Sequence, residues 1–168
     1  MPQIIAVVGK SGSGKTTLLV KLISELKKRG YSIGTVKHTH HPVEGDREGK
    51  DSALHKQAGA DTVILASSRQ IFMQKDADGD DPEKLKIYFQ DRDLLLCEGY
   101  KNADCPKIEI FRKDSGKSPL YPDARYSNFT ALVSDADIAA DMPVFGLEDI
   151  SEISDFIEKN YILTKKGG

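Results

Sequence analysis

Residues 9–16 read G-K-S-G-S-G-K-T, a full match to the phosphate-loop pattern G-x-x-x-x-G-K-[ST]. Gly12 and Gly14 let the backbone turn tightly enough to aim successive N–H groups at phosphate oxygens. A helix starting near Lys15 adds its own N-terminal amides and the positive end of its dipole. Lys15 would reach the β- and γ-phosphates as a point charge, and Thr16 would offer its hydroxyl to Mg²⁺. The expected ligand is a nucleoside triphosphate, held by Gly9, Lys10, Ser11, Gly12, Ser13, Gly14, Lys15, Thr16 and Thr17. A glycine-rich turn without a ligand has no need of lysine, hydroxyl, strand and helix in register.

The metal needs a carboxylate on a neighbouring strand. The run D-L-L-L-C-E-G at 93–99 offers Asp93 and Glu98 at opposite ends, roughly 16 Å apart along an extended chain. Ligands of open parallel sheets lie beyond the carboxyl ends of the strands. That makes Glu98 the candidate to support Mg²⁺ or orient a water, with Lys15 as the second catalytic candidate and Asp93 a strand-start residue. The bland alternative for Glu98 is a solvated loop acid.

The stretch K-H-T-H-H-P-V-E-G-D-R-E-G-K-D-S (37–52) holds three of the four histidines and seven formally charged side chains. The same edge rule brings it, the E-G-Y-K after residue 97 and the S-D-A-D after residue 133 to the rim that carries the phosphate loop. A second anionic ligand is one reading, and ordinary solvated surface is another. Metal binding is a third: His38 and His40 could share a face of an extended segment, with Asp46 joining them, whereas His41 falls on the other face. Asp135 could accept from N1–H and the N2 amino group of guanine, or could simply be a turn residue. The guanine motif N-K-x-D is absent.

These residues need a scaffold, and the apolar pattern supplies one. Apolar runs at 3–9, 31–38, 62–67, 70–75, 93–99, 107–112, 130–135 and 142–146 read as strands. The 62–67 and 70–75 pair forms a candidate hairpin, and 107–112 alternates like a half-exposed strand. Between them come amphipathic helices. The first presents Leu18, Leu19, Leu22, Ile23 and Leu26 on one stripe and stops at Gly30. A short helix is expected from Asp51 to Ala58, and another with Asp81 as N-cap and Pro82 at its first position. The last opens at a capping box, Asp149 to Glu152, and buries Ile150, Ile153 and Ile157. Residues 113–129 read as an irregular loop and 163–168 as a frayed tail. The expected fold is an α/β phosphate-loop NTPase type: one domain over 1–168, a mostly parallel sheet, helices on both faces.

Composition sets outer limits. The 168 residues allow a substantial core. Lys and Arg number 24 against 26 Asp and Glu, so no global basic field argues for nucleic acid. No apolar run approaches a membrane span. The N-terminus has no basic region of a signal peptide, and Cys97 and Cys105 lack metal spacing and read as reduced thiols. A cytoplasmic protein is expected.

The segments G-K-S-G-S-G-K-T-T-L, V-K-H-T-H-H, Asp46, G-K-D-S followed by A-G-A-D (49–61), L-L-L-C-E-G-Y-K and P-K-I-E-I-F-R resemble, in order, those of the MobB family. That family is the adaptor of molybdopterin-guanine dinucleotide biosynthesis. Departures are few: the family usually has an aromatic residue near Val43, proline where Glu48 stands and phenylalanine where Tyr100 stands. The resemblance implies a homodimeric GTP- and Mg²⁺-binding protein with weak GTPase activity. Its implied partner is the guanylyltransferase MobA, which joins GMP to molybdopterin. It also implies that Lys37, His38, His40, His41, Asp46, Lys50, Asp51 and Lys101 line a rim for the pterin phosphate or the partner. Two other classes stay open from the residues: a small-molecule kinase or ATP-dependent synthetase, and a metallochaperone GTPase using the histidines.

Overall fold

The computed structural model describes residues 1–39, 41, 43, 51–77 and 79–162; His40, Asp46, Lys50 and the 163–168 tail lie outside it. Contacts gather into two compact units, one of Met1–His38 with Asp81–Gly168, the other Thr39–Asp80.

The larger unit is built on a six-stranded sheet of β1 (Gln3–Val8), β2 (Ile33–Lys37), β5 (Leu94–Glu98), β6 (Lys107–Phe111), β7 (Phe129–Ser134) and β8 (Val144–Phe145). Their order across the sheet is β2-β5-β1-β6-β7-β8, and every neighbouring pair is parallel. Alternate residues of β1 face opposite sides, yet both sides are buried. Ile5 and Val7 join one core, and Ile4, Ala6 and Val8 the other. This is why β1 and β5 read as unbroken apolar runs.

The first core is covered by α1 (Lys15–Lys28) and α4 (Ile150–Ile157). Leu18, Leu19, Leu22 and Leu26 of α1 and Ile153 and Ile157 of α4 pack on it. Leu22, Leu26, Ile153 and Ile157 are fully buried, each worth about 1.5–3 kcal/mol of apolar transfer. The expected stripe is therefore the buried one. The capping box of α4 does not form, because the Asp149 carboxylate accepts from the Gly146 N–H upstream (2.8 Å).

The second core has less helix. The one-turn α3 (Pro82–Leu85), capped by Asp81 through the Glu83 N–H (2.9 Å), tightens into a 3₁₀ turn over Lys86–Phe89. Leu85 and Phe89 pack there. The rest of the cover comes from the connections on either side of β6, contributing Ala103, Cys105, Leu120 and Tyr126. Burial pushes the Cys97 thiol up to about 12 and raises that of Cys105 as well.

Strand β6 corrects the half-exposed expectation: Lys107 and Glu109 are buried. The reason is that loops, unlike helices, carry unpaired backbone groups that need partners. The Lys107 ammonium donates to the carbonyls of Ala103 (2.5 Å), Cys105 (3.2 Å) and Ser127 (2.9 Å), using all three of its hydrogens. The Glu109 carboxylate accepts from the backbone N–H groups of Leu120 (2.6 Å) and Tyr121 (2.9 Å). Burial raises the carboxyl of Glu109, while those two hydrogen bonds oppose the rise.

The smaller unit holds α2 (Asp51–Gln57) and an antiparallel hairpin of β3 (Thr62–Ala66) and β4 (Ile71–Lys75), as the sequence anticipated.

Lys107→Met keeps the volume but strands three carbonyls, one buried and two partly buried. The expected loss is about 3 kcal/mol of folding stability by urea denaturation. A loss below about 1 kcal/mol would show that those carbonyls find other partners.

Candidate functional site

The phosphate loop leaves β1 at the centre of the sheet. A Cβ on Gly9 would lie 2.5 Å from the Ile110 carbonyl oxygen and 2.6 Å from Ser13 Oγ, so no side chain fits where the chain passes β6. Gly14 caps α1 in the left-handed conformation (φ 96°) and accepts the Leu18 N–H (2.9 Å). The first turn of α1 contains no acidic residue, so nothing there offsets the positive end of the helix dipole, as an anion site requires.

Lys15 folds back over the loop, donating to the carbonyls of Gly9 and Lys10, both at 3.0 Å. One residue on, Thr16 Oγ1 lies 3.0 Å from both oxygens of Glu98. Glu98 ends β5, in register with Val7 of β1 and Lys37 of β2, and its side chain is only 14 % exposed. Lys37 Nζ stands 3.5 Å from Glu98 Oε1. A hydroxyl and a carboxylate facing one another make two hard oxygen donors. That set fits Mg²⁺, which takes one or two protein ligands and fills its octahedron with water and phosphate oxygens. At the far end of the same strand, Asp93 accepts from the N–H and hydroxyl of Ser32, both at 2.8 Å.

The electrostatics are lopsided. Burial lowers the Lys15 ammonium; Glu98 opposes that, while Lys117, Lys37 and Lys101 push the same way as burial. Lys15 and Lys117 touch the loop itself, while Lys37 leans on Glu98. Lys101 Nζ rests 5.7 Å from the centre of the Tyr126 ring, and the His38 ring lies 4.7 Å from that of Tyr100.

On the other side of the loop, Asp135 follows β7 and accepts the Lys113 N–H through Oδ1 (2.7 Å). Thr17 borders a small cavity of ≈ 60 Å³ with Gly14, Lys21, Ile110, Arg112 and Leu147.

Of the rim foreseen from sequence, Lys37, His38 and Lys101 lie in the larger unit, as do Glu98 and Asp135, all at or after the carboxyl ends of its parallel strands. His41 and Asp51 belong to the smaller unit; the His41 N–H donates to Thr39 Oγ1 (3.1 Å), and Asp51 opens α2. His40, Asp46 and Lys50 fall outside the described residues. Among the described residues, no cluster of three or more His, Cys, Asp or Glu side chains could hold a metal, and no helix is long and apolar enough to cross a membrane.

One residue was missed. Lys117, in the connection after β6, donates to the Ser11 carbonyl at 2.6 Å. The edge rule that drew attention to 37–52 applies equally to residues after 112, and a lysine following Gly116 there was the available signal.

Comparison with known proteins gives a consistent result. The family model "Molybdopterin guanine dinucleotide synthesis protein B" (MobB) matches residues 4–135. The molybdopterin-guanine dinucleotide biosynthesis adapter protein of Escherichia coli is 35% identical over 166 residues, covering 94% of this chain and 92% of that protein. Its counterpart from Haemophilus influenzae is 38% identical over 160 residues, covering 92% and 87%. The crystal structure of Bacillus subtilis MobB superposes with a TM-score of 0.72 at 26% identity, covering 95% of this chain and 98% of that one.

Lys15→Ala is expected to lower nucleoside triphosphate affinity about a hundredfold by calorimetry, because a charge-assisted contact is lost. The circular-dichroism spectrum stays that of the wild type, since Lys15 bonds to loop carbonyls and not to the core.

Proposed function

The chain belongs to the MobB family, and from that premise we propose that it is a GTP-binding adapter in molybdopterin-guanine dinucleotide biosynthesis. The observation that carries this reading is the approach of Thr16 to Glu98 across the β1–β5 junction, beside a lysine folded over a glycine loop. The loop amides and Lys15 bind the β- and γ-phosphates. Thr16 and Glu98 hold Mg²⁺, which neutralises charge on the phosphate oxygens when bound. Glu98, 3.0 Å from Thr16 Oγ1, could also orient a water, which fits a slow GTPase.

Guanine selection falls to Asp135. Its Oδ1 accepts the Lys113 N–H, and the carboxylate would accept from N1–H and the N2 amino group of guanine, which adenine cannot reproduce. Lys37, His38 and Lys101 form the part of the rim suited to an anionic group, in this reading the pterin phosphate or the guanylyltransferase MobA.

A homodimer is supported by the hairpin. In β3–β4, Ile64 pairs with Met73 and Leu65 with Phe72, so apolar side chains stand on both faces. Ile64, Ile71 and Phe72 are 56%, 73% and 47% exposed. A two-stranded sheet with this much exposed apolar surface is marginal alone, and a second copy of the same hairpin is a self-complementary cover.

The function is tested by titrating GTP and ATP with Mg²⁺ and then measuring GTP hydrolysis with and without the guanylyltransferase. GTP preference with slow turnover is expected; rapid phosphoryl transfer to a small acceptor would establish a kinase instead. Asp135→Asn should weaken GTP about tenfold while leaving ATP unchanged; equal effects on both would remove Asp135 from base recognition. Phe72→Glu should convert a dimer to a monomer by light scattering, with nucleotide binding retained.

A further inference from the structure

We infer that Lys117 is a second phosphate-binding cation, supplied by the β6–β7 connection and specific for the terminal phosphate of a bound triphosphate. The inference rests on the nucleotide reading above and adds to it a residue outside the phosphate-loop motif.

The placement of two ammonium groups carries the argument. Lys15 occupies the carbonyls of Gly9 and Lys10, and Lys117 that of Ser11. Three consecutive carbonyls of one turn are thus covered by two cations that approach from different parts of the chain. Lys15 in this motif addresses the β- and γ-phosphates, so a cation on the adjoining carbonyl flanks the same pair. The recorded partner of Lys117 is a neutral carbonyl. A phosphate oxygen of a triphosphate is a far stronger acceptor for an ammonium group, so a small rotation of an exposed side chain would exchange one for the other. Lys117 also adds to the field that lowers the Lys15 ammonium, as expected of cations sharing a site.

The connection is built to keep Lys117 there. Its start is pinned where Asp135 accepts the Lys113 N–H. Its middle is pinned where buried Glu109 accepts from Leu120 and Tyr121. Between those anchors Gly116 adopts the left-handed conformation (φ 64°) immediately before Lys117, turning the chain toward the loop. Sheet order gives the functional sense: Glu98 on β5 and Lys117 after β6 stand on opposite sides of β1. The phosphate chain would then have a metal-supporting acid on one flank and an ammonium on the other. Such a cation responds to the charge that distinguishes a triphosphate from a diphosphate.

The test compares GTP and GDP binding by calorimetry, with Mg²⁺, for the wild type, Lys117→Ala and Lys117→Arg. Lys117→Ala should weaken GTP about tenfold and GDP less than about twofold, and Lys117→Arg should recover most of the GTP affinity. Equal losses for GTP and GDP, together with a lower melting temperature of the ligand-free protein, would make Lys117 a brace of the loop and overturn the inference. Unchanged GTP affinity in Lys117→Ala would overturn it as well, while leaving the nucleotide reading intact. A wild type that takes up neither nucleotide would overturn both.

Discussion

Parallel pairing of all six strands is the constraint on which the site depends. It sends every strand's carboxyl end to the same edge of the sheet, so chain segments far apart in sequence must meet there. Val7, Lys37 and Glu98 share one register line across β1, β2 and β5. The sheet thus delivers a carboxylate to the first turn of α1 without any local sequence signal linking residues 16 and 98. The lysines arrive by the same route, and their mutual repulsion is the consequence. Their ammonium groups lean on backbone carbonyls and on Glu98.

The second face of the sheet shows how that edge is kept in shape. A helix satisfies its own backbone, but the connections flanking β6 do not. Lys107 and Glu109, two apart on one strand, point to the same side and take up that burden with opposite chemistry. The ammonium collects three carbonyls, and the carboxylate collects two N–H groups. Desolvating both is costly, and the return is a fixed path for a long loop. That path begins beside the phosphate loop, so a buried acid at residue 109 helps to hold an exposed lysine at 117. Core polarity and site geometry are here one design.

Much of this was legible in the sequence, for reasons that differ by residue. The phosphate loop could be read because every position has a separate physical duty. Strands β1 and β5 could be read because burial on both faces leaves only apolar residues, and α1 because its leucines repeat at helical spacing. Glu98 followed from strand polarity alone. Strand β6 was misread: K-I-E-I-F alternates, and alternation ordinarily means one wet face. Its polar face is instead dry and satisfied by loops whose path no local pattern encodes. The cap at Asp149 failed for a related reason, since a nearer N–H, that of Gly146, competes for the carboxylate. The histidine-rich segment was legible as chemistry that strand polarity delivers to the rim, and its His40, Asp46 and Lys50 lie outside the described residues.

The arrangement of these groups bears on why such a site would bind tightly yet turn over slowly in the proposed reading. In that reading Lys15 and Lys117 would exchange carbonyls for phosphate oxygens, Thr16 and Glu98 would share the metal, and the loop amides would add contacts of their own. The exchanges are favourable because phosphate and metal charges exceed the dipoles they displace, and they are complete once the ground state is bound. Cations that engage the phosphates equally before and during bond breaking lower the energy of both, which strengthens binding without accelerating chemistry. An adapter needs the first effect, since its nucleotide must persist until a partner arrives. Any acceleration would then have to come from groups that meet the γ-phosphate only in the complex, and the open rim of Lys37, His38 and Lys101 is where a partner could bring them.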